Sequence, residues 1–206
     1  MAQPVQFRKP VEVAKGISAR WIEAGHILGS ASIELTVTEA GRSWTVLFSG
    51  DLGPIGRPII RDFDRPNRAD IVFLESTYGD RDHRSYSETV AEFEDLVKRA
   101  TEARGKILVP TFAIGRSQLM LYHLAIMFHR GVVRPFHVYL DSPMAIEASK
   151  EMVTHPELFD EELLEWKSRG LLPLDKAWFH ASVTAHDSQS LNDVEGPCLH
   201  VRRIHE

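Results

Sequence analysis

Two short glycine-rich segments contain the residues with the clearest capacity for chemistry. A histidine lies in Ala24-Gly25-His26-Ile27-Leu28-Gly29-Ser30, and an aspartate lies in Phe48-Ser49-Gly50-Asp51-Leu52-Gly53. Either residue alone could belong to an ordinary loop, since loops tolerate histidine and aspartate often bonds its own backbone in turns. Imidazole and carboxylate groups are also the donors that suit Zn²⁺. The pair therefore predicts a metal site whose remaining ligands lie elsewhere.

A third polar residue, Glu75, follows the apolar run Ile71-Val72-Phe73-Leu74, which predicts a buried strand. A carboxylate at the end of such a strand is unfavourable unless something pairs with it. Together, His26, Asp51 and Glu75 fit phosphoester hydrolysis, in which one metal ion activates water and a second stabilises the developing charge. In such a site one carboxylate can bridge two ions while another orients a histidine.

The other histidines do not complete a site of this kind. The sequence has ten histidines, and they never occur as a His-x-His pair. His123 and His129 are six residues apart on a predicted helix and lie on different faces of it. This spacing favours core or surface positions for both.

Two further segments could bind an anion. In Pro110–Arg116, backbone amides and the Arg116 guanidinium could lie at a helix N-terminus, which is a favourable place for phosphate. The alternative is that Gly115 only makes a turn and Arg116 is a solvated first residue of the helix. Ser142 precedes Pro143, and helix capping alone explains that pair.

The elements that must position these residues follow from the hydrophobic pattern. Alternating apolar residues at 31–38 and 44–48 predict a β-hairpin that leads to Asp51. Beyond a boundary near residues 79–84, strands and helices alternate, which is typical of a parallel α/β sheet. The predicted strands are 107–109 and 136–140, and the predicted helices are 85–105, 117–130 and one from 143.

Composition excludes several classes of protein. The net charge of −5 gives no global attraction to nucleic acid, so any polyanion substrate would need local clusters or metal ions. Cys198 is the only cysteine, which excludes an intramolecular disulfide and suits a reducing cytosol. No apolar stretch reaches the roughly 18 to 20 residues of a membrane span. We therefore expect a cytoplasmic protein that does not interact with membranes.

Five blocks in order closely resemble the β-CASP branch of the metallo-β-lactamase superfamily. This branch contains RNA-processing nucleases related to the cleavage and polyadenylation endonuclease and to its bacterial and archaeal counterparts. The resemblance implies an α/β fold in three parts: a partial metallo-β-lactamase αββα layer in residues 1–80, a partial parallel-sheet β-CASP domain in 81–198, and a divergent tail in 199–206. The blocks are Ala24–Ala31, Ser49–Gly53, Glu75–His83, Val109–Arg116 and Tyr139–Ala145.

The same resemblance implies roles for individual residues. His26 matches a metal-binding motif, Asp51 matches a metal-bridging carboxylate, and Glu75 matches an acidic residue that supports a catalytic histidine. It also implies hydrolysis of RNA phosphodiester bonds with two Zn²⁺ ions. Arg116 and Ser142 are weaker candidates for contacts with the RNA phosphates.

Some of the family's pattern lies outside this sequence. The main ligand cluster, His-x-His-x-Asp-His, lies upstream of the position that matches His26, and two further histidines lie beyond residue 206. We therefore expect an internal fragment that lacks a complete metal site, is inactive in isolation and needs the N- and C-terminal segments of its parent. Two alternatives stay open, namely a catalytically silent RNA-binding or scaffold module of the same family and a small-molecule metallo-hydrolase.

Overall fold

The computed structural model describes residues 3–203, and contacts between Cα atoms divide the chain into two units. Unit 1 runs up to Asp82 and includes Leu158–Asp160, while unit 2 comprises His83–Glu157 and the residues from Glu161 onward. The sequence-based boundary lay between residues 80 and 81. Residues 1–2 of the first expected domain and 204–206 of the expected tail lie outside the described residues. No helix in 3–203 is long and apolar enough to cross a membrane.

Unit 1 contains one five-stranded sheet with its strands in sequence order. Neighbouring strands are antiparallel except for the last pair, which is parallel. The predicted hairpin is confirmed, and Ala40 and Gly41 at its tip both have positive φ, 49° and 77°, as a two-residue hairpin turn requires. The strands are β1 (Val11–Ala14), β2 (Ile17–Glu23), β3 (Ala31–Glu39), β4 (Arg42–Phe48) and β5 (Ile71–Phe73).

The register of this sheet brings three strand ends to one edge. Glu23 lies opposite Ala31, Ile33 lies opposite Phe48, and Phe48 lies beside Phe73. β2, β4 and β5 therefore end where β3 begins. The loops that follow β2, β4 and β5 consequently emerge at the same edge of the sheet.

The prediction of a buried strand at residues 71–74 was wrong about burial. A strand does form, but Ile71, Val72 and Phe73 are 50%, 53% and 55% exposed. The physical reason is that β5 is an edge strand, and residues 3–82 contain no helix that could cover it. Within the sheet, β5 pairs with β4, and the Phe73 ring stacks on the Phe48 ring with centroids 4.8 Å apart.

Unit 2 contains a four-stranded sheet of order β6-β9-β7-β8 in which every neighbouring pair is parallel. This confirms the expected parallel α/β arrangement. β9 is a central strand and includes five residues of the expected divergent tail. The strands are β6 (Lys106–Thr111), β7 (His137–Asp141), β8 (Phe179–Ala181) and β9 (Cys198–Arg203).

The helices of unit 2 cover an apolar face of this sheet. Val138, Leu140, Leu199 and Val201 of the sheet and Leu124 of a helix are fully buried in one core. The predicted helices at 85–105, at 117–130 and from 143 are confirmed as the first three of the five α-helices within residues 83–203. The α-helices are α1 (Tyr86–Glu102), α2 (Arg116–His129), α3 (Pro143–Thr154), α4 (Glu161–Ser168) and α5 (Ala185–Ser190), with short 3₁₀ helices at Pro156–Leu158 and Pro173–Asp175.

Candidate functional site

The three candidate residues of unit 1 follow the three strands that end at the common edge. His26 lies in the loop after β2, Asp51 in the loop after β4, and Glu75 directly after β5. His26 and Asp51 are exposed, and Glu75 is partly buried. We call these three loops, residues 24–30, 49–53 and 74–77, the three-strand edge.

The loop that carries His26 is closed by hydrogen bonds to Ser30. The Ser30 hydroxyl accepts from the backbone N–H of His26 at 3.0 Å and from that of Ile27 at 3.2 Å. The Ser30 carbonyl accepts from the Ala24 N–H at 3.2 Å, and the Ser30 N–H donates to the Ile27 carbonyl at 2.9 Å. The backbone on both sides of His26 is therefore fixed while its side chain faces solvent.

The two glycine-rich segments touch each other. The Gly53 N–H donates to the Ala24 carbonyl at 2.9 Å. A Cβ atom on Gly53 would lie only 1.6 Å from the Gly25 carbonyl oxygen, so position 53 accepts only glycine without a shift of the backbone. The structure thus brings together the loops that carry His26 and Asp51.

Glu75 is held at the three-strand edge by donors from two loops. Its carboxylate accepts from the Leu52 N–H at 2.9 Å and from the Thr77 hydroxyl at 2.7 Å. These bonds, the Leu52 one first, hold the pKa of Glu75 below its ordinary value, and the His26 charge acts in the same direction. Glu75 is therefore a carboxylate near neutral pH, beside the residue that follows Asp51 and within electrostatic range of His26.

Sequence reasoning missed two residues, one in this edge and one directly beside it. Ser49 is buried, and its hydroxyl accepts from the Glu75 N–H at 2.9 Å, while its carbonyl accepts from the Ser32 hydroxyl at 2.6 Å. Glu23 is also buried, and its carboxyl group accepts from the Gly25 N–H at 3.0 Å. The available signal was the apolar alternation of β2, which ends on Glu23 and places that residue next to the glycine turn.

Arg116 and Ser142 lie in unit 2, each directly after a β-strand or its loop. Arg116 begins α2, and its guanidinium lies 5.3 Å from the centre of the Phe112 ring. Ser142 is 4% exposed, and its hydroxyl accepts from the Ala145 N–H at 3.2 Å as the N-cap of α3. The capping interpretation of Ser142 is thus what the structure shows, and a phosphate contact by either residue stays a prediction.

The donor types at the three-strand edge suit a divalent metal ion, but the side chains are not grouped so that they could hold one. The loops there carry one imidazole and two carboxylates, on His26, Asp51 and Glu75. Within residues 3–203, however, no three His, Cys, Asp or Glu side chains are grouped so that they could hold a metal ion. Glu75 has both carboxylate oxygens engaged by Leu52 and Thr77, which suits orientation of a neighbour better than ligation.

Comparison with known proteins assigns a family to a large part of unit 2. Residues 117–201 match the Beta-Casp domain family. Over 186 residues the chain is 38% identical to a ribonuclease of Thermus thermophilus, and the match covers 89% of this chain. Residues 117–201 belong to the β-CASP family. The β-CASP match begins in α2 and extends into β9, as far as residue 201.

Other β-CASP relatives are RNA-processing and transcription factors. The chain is 27% identical over 203 residues to transcription termination factor FttA of Methanocaldococcus jannaschii, covering 95% of this chain and 31% of that protein. It is 32% identical over 120 residues to cleavage and polyadenylation specificity factor subunit 3 of Dictyostelium discoideum, covering 58% and 15%. The chain spans 41% of the length of the Thermus ribonuclease. The β-CASP family is a branch of the metallo-β-lactamase superfamily, whose members generally depend on a metal ion.

Proposed function

We propose that this chain is part of a zinc-dependent β-CASP ribonuclease that hydrolyses RNA phosphodiester bonds. The observation that carries the proposal is the meeting of the His26, Asp51 and Glu75 loops at the three-strand edge, in a chain related to a ribonuclease. His26 and Asp51 would each contribute one ligand. The remaining ligands would come from parts of the longer protein that precede and follow the chain. The cytoplasmic location expected from Cys198 stays part of this proposal.

The residues of the three-strand edge would have different roles in such a site. The Ser30 bonds hold the His26 backbone so that the imidazole reaches outward, and Asp51 offers an exposed carboxylate. Glu75 keeps its negative charge and can orient a histidine of the parent by accepting a hydrogen bond from it. A bound divalent ion lowers the pKa of water and stabilises charge on phosphate oxygens.

A chimera tests the metal role of His26. This chain would replace the matched segment of the Thermus ribonuclease, and cleavage of a single-stranded RNA would be measured. We expect His26→Ala and Asp51→Ala each to lower kcat/KM by about 100-fold or more, because each removes a ligand. His186→Ala, which changes an exposed histidine of α5, is the matched control and should leave cleavage unchanged.

The outcomes of the same assay separate the alternatives. Unchanged cleavage in His26→Ala would exclude the metal role. A chimera that binds RNA with wild-type affinity but never cleaves it would favour the silent RNA-binding module. Cleavage of small esters or lactams in preference to RNA would favour the small-molecule hydrolase.

The metal content of the isolated chain tests whether its site is incomplete. We propose that residues 1–206 alone bind fewer than two equivalents of zinc and do not cleave RNA. Mass spectrometry under native conditions, after loading with zinc and dialysis, measures the stoichiometry. Two tightly bound equivalents would show that this half of the proposal is wrong.

Arg116 extends the proposal to substrate binding. Its exposed guanidinium lies at the first turn of α2, where backbone N–H groups also favour an anion. In the chimera, Arg116→Ala should raise KM for RNA with little change in kcat, since a phosphate contact of this kind binds substrate and transition state alike. A fall in kcat at unchanged KM would contradict the assignment. Ser142, whose hydroxyl already caps α3, is the weaker candidate.

A further inference from the structure

Glu23 is a carboxylic acid in an unfavourable place. It is the last residue of β2, and only 6% of its surface is exposed. Burial raises the pKa of its carboxyl group, and the nearby Asp64 charge adds to this effect, while the Gly25 N–H opposes it. A buried ionisable group lowers stability unless its hydrogen bonds compensate, so its contacts indicate what it does.

The carboxyl group of Glu23 reaches forward along its own chain. Its Oε1 atom accepts from the Gly25 N–H at 3.0 Å. Gly25 immediately precedes His26 and has a positive φ of 63°. A Cβ atom on Gly25 would lie 2.8 Å from the Phe63 nitrogen and 3.0 Å from the Arg61 carbonyl oxygen, so this peptide is tightly enclosed. The hydrogen bond from Gly25 to Glu23 therefore fixes the Ala24–Gly25 peptide, which is one peptide unit before the one that joins Gly25 to His26.

Glu23 is itself held from the opposite side. The Asp64 N–H donates to the Glu23 carbonyl at 2.8 Å, and the Glu23 N–H donates to the Asp64 carboxylate at 3.2 Å. Arg8 donates two hydrogen bonds to the same carboxylate, at 2.7 and 2.9 Å. The Glu23 carboxyl group, which contacts Gly25, therefore belongs to a residue whose backbone N–H and carbonyl are both held by hydrogen bonds to Asp64.

We propose that Glu23 is a positioning residue for His26: its carboxyl group holds the Gly25 N–H and so sets the direction in which the turn presents the imidazole. Ser30 closes the C-terminal side of the turn through the His26 and Ile27 N–H groups, and Glu23 closes the N-terminal side. The importance of this position for metal binding rests on the proposed function, whereas the geometry of the turn does not.

Hydrogen exchange in the 206-residue chain tests the proposal without metal or activity. Glu23→Leu removes the acceptor and leaves the Gly25 N–H buried without it. We expect the Gly25 amide to exchange about tenfold faster, and the His26 imidazole NMR signals to shift, while Ile33 and Leu35 amides in β3 keep their protection. His26→Asn identifies the imidazole signals by their loss. Glu34→Leu, which removes another largely buried carboxylate of the same sheet, should leave Gly25 unchanged.

Glu23→Gln keeps an acceptor oxygen and supplies the conservative comparison. It should retain most of the protection of the Gly25 amide against exchange. The chemical shift of the Gly25 amide proton should be lower than in the unsubstituted chain, because a neutral amide accepts a hydrogen bond more weakly than a carboxylate does. If Glu23→Leu does not fold, this variant still decides, because a Gly25 amide proton signal identical to that of the unsubstituted chain would show that the carboxylate does not accept from Gly25 and would overturn the proposal.

The results separate failure of this inference from failure of the proposed function. Equal loss of protection at Gly25 and throughout β2 and β3 in Glu23→Leu would show that Glu23 only stabilises the sheet. Unchanged Gly25 and His26 signals would likewise overturn its positioning role, and neither result bears on RNA cleavage. Unchanged cleavage in the His26→Ala chimera would exclude the metal role and leave the turn geometry as described.

Discussion

The two sheets of this chain differ in how they bury their strands. In unit 2, helices that connect parallel strands pack on the sheet, and Val138 and Leu140 of β7 are fully buried. In unit 1, short turns connect β1 to β2 and β3 to β4, and Ile71 and Val72 of β5 are at least 50% exposed. The comparison teaches that unit 2 positions its loops by a packed core and helix caps, whereas unit 1 positions its three-strand edge by polar contacts between loops.

The largest difference should appear when apolar side chains are truncated. Leu140→Ala should lower the free energy of unfolding of unit 2 by about 2–5 kcal/mol, because it leaves a cavity in a close-packed core. Val72→Ala should change that of unit 1 by less than about 0.5 kcal/mol, since Val72 is exposed. Urea unfolding followed by fluorine NMR of labelled Trp44 in unit 1 and Trp178 in unit 2 resolves the two. Equal effects would contradict the contrast in burial.

A glycine substitution tests whether loop contacts hold the three-strand edge. Gly53→Ala should destabilise unit 1 by about 1–3 kcal/mol, since its Cβ would overlap the Gly25 carbonyl. Gly105→Ala in unit 2 should be neutral or stabilise by up to about 1 kcal/mol, because its nearest neighbour is an ordinary 3.4 Å away. Denaturant midpoints measure both. A neutral Gly53→Ala would show that the two glycine-rich segments are not in close contact.

A substitution of the Ser142 N-cap tests how much helix capping contributes to the stability of unit 2. Ser142→Ala removes the acceptor for the Ala145 N–H at the start of α3 and should lower the stability of unit 2 by about 0.5–2 kcal/mol. Ser168→Ala, at the exposed end of α4, is the control and should stay within about 0.5 kcal/mol. Thermal unfolding measures both. Equal effects would mean that α3 does not depend on this cap.

The smallest effect concerns pH in unit 1. Hydrogen bonds from Arg8 hold the pKa of Asp64 below its ordinary value. For a carboxyl group with a lowered folded-state pKa, the stabilisation is present above the unfolded-state pKa and is lost as pH falls through the folded-state pKa. Arg8→Ala should therefore cost about 0.2–1 kcal/mol near neutral pH, because the Arg8 side chain is mostly exposed to solvent, and nothing at strongly acidic pH. An equal cost at both would contradict the ion-pair explanation.

Local patterns predicted much of the fold, and they named candidate residues for a site. Apolar alternation gave the β3–β4 hairpin, and periodicity with capping signals gave α1, α2 and α3. The exposure of β5 could not be predicted, because a run such as Ile71–Phe73 has the same pattern whether or not another layer covers it. The sequence pointed to His26, Asp51 and Glu75 but not to Glu23 or Ser49, whose roles depend on which loops the register brings together.

The sequence by itself determined the family, the types of chemical group at the site and the alternating elements of unit 2, because each depends on residue types and spacings along the chain. Only the tertiary structure decided that the loops of His26, Asp51 and Glu75 share one edge, and that Glu23 holds the turn before His26. The physical reason is that these contacts join residues brought together by strand pairing, and pairing depends on the hydrogen-bond register of the whole sheet.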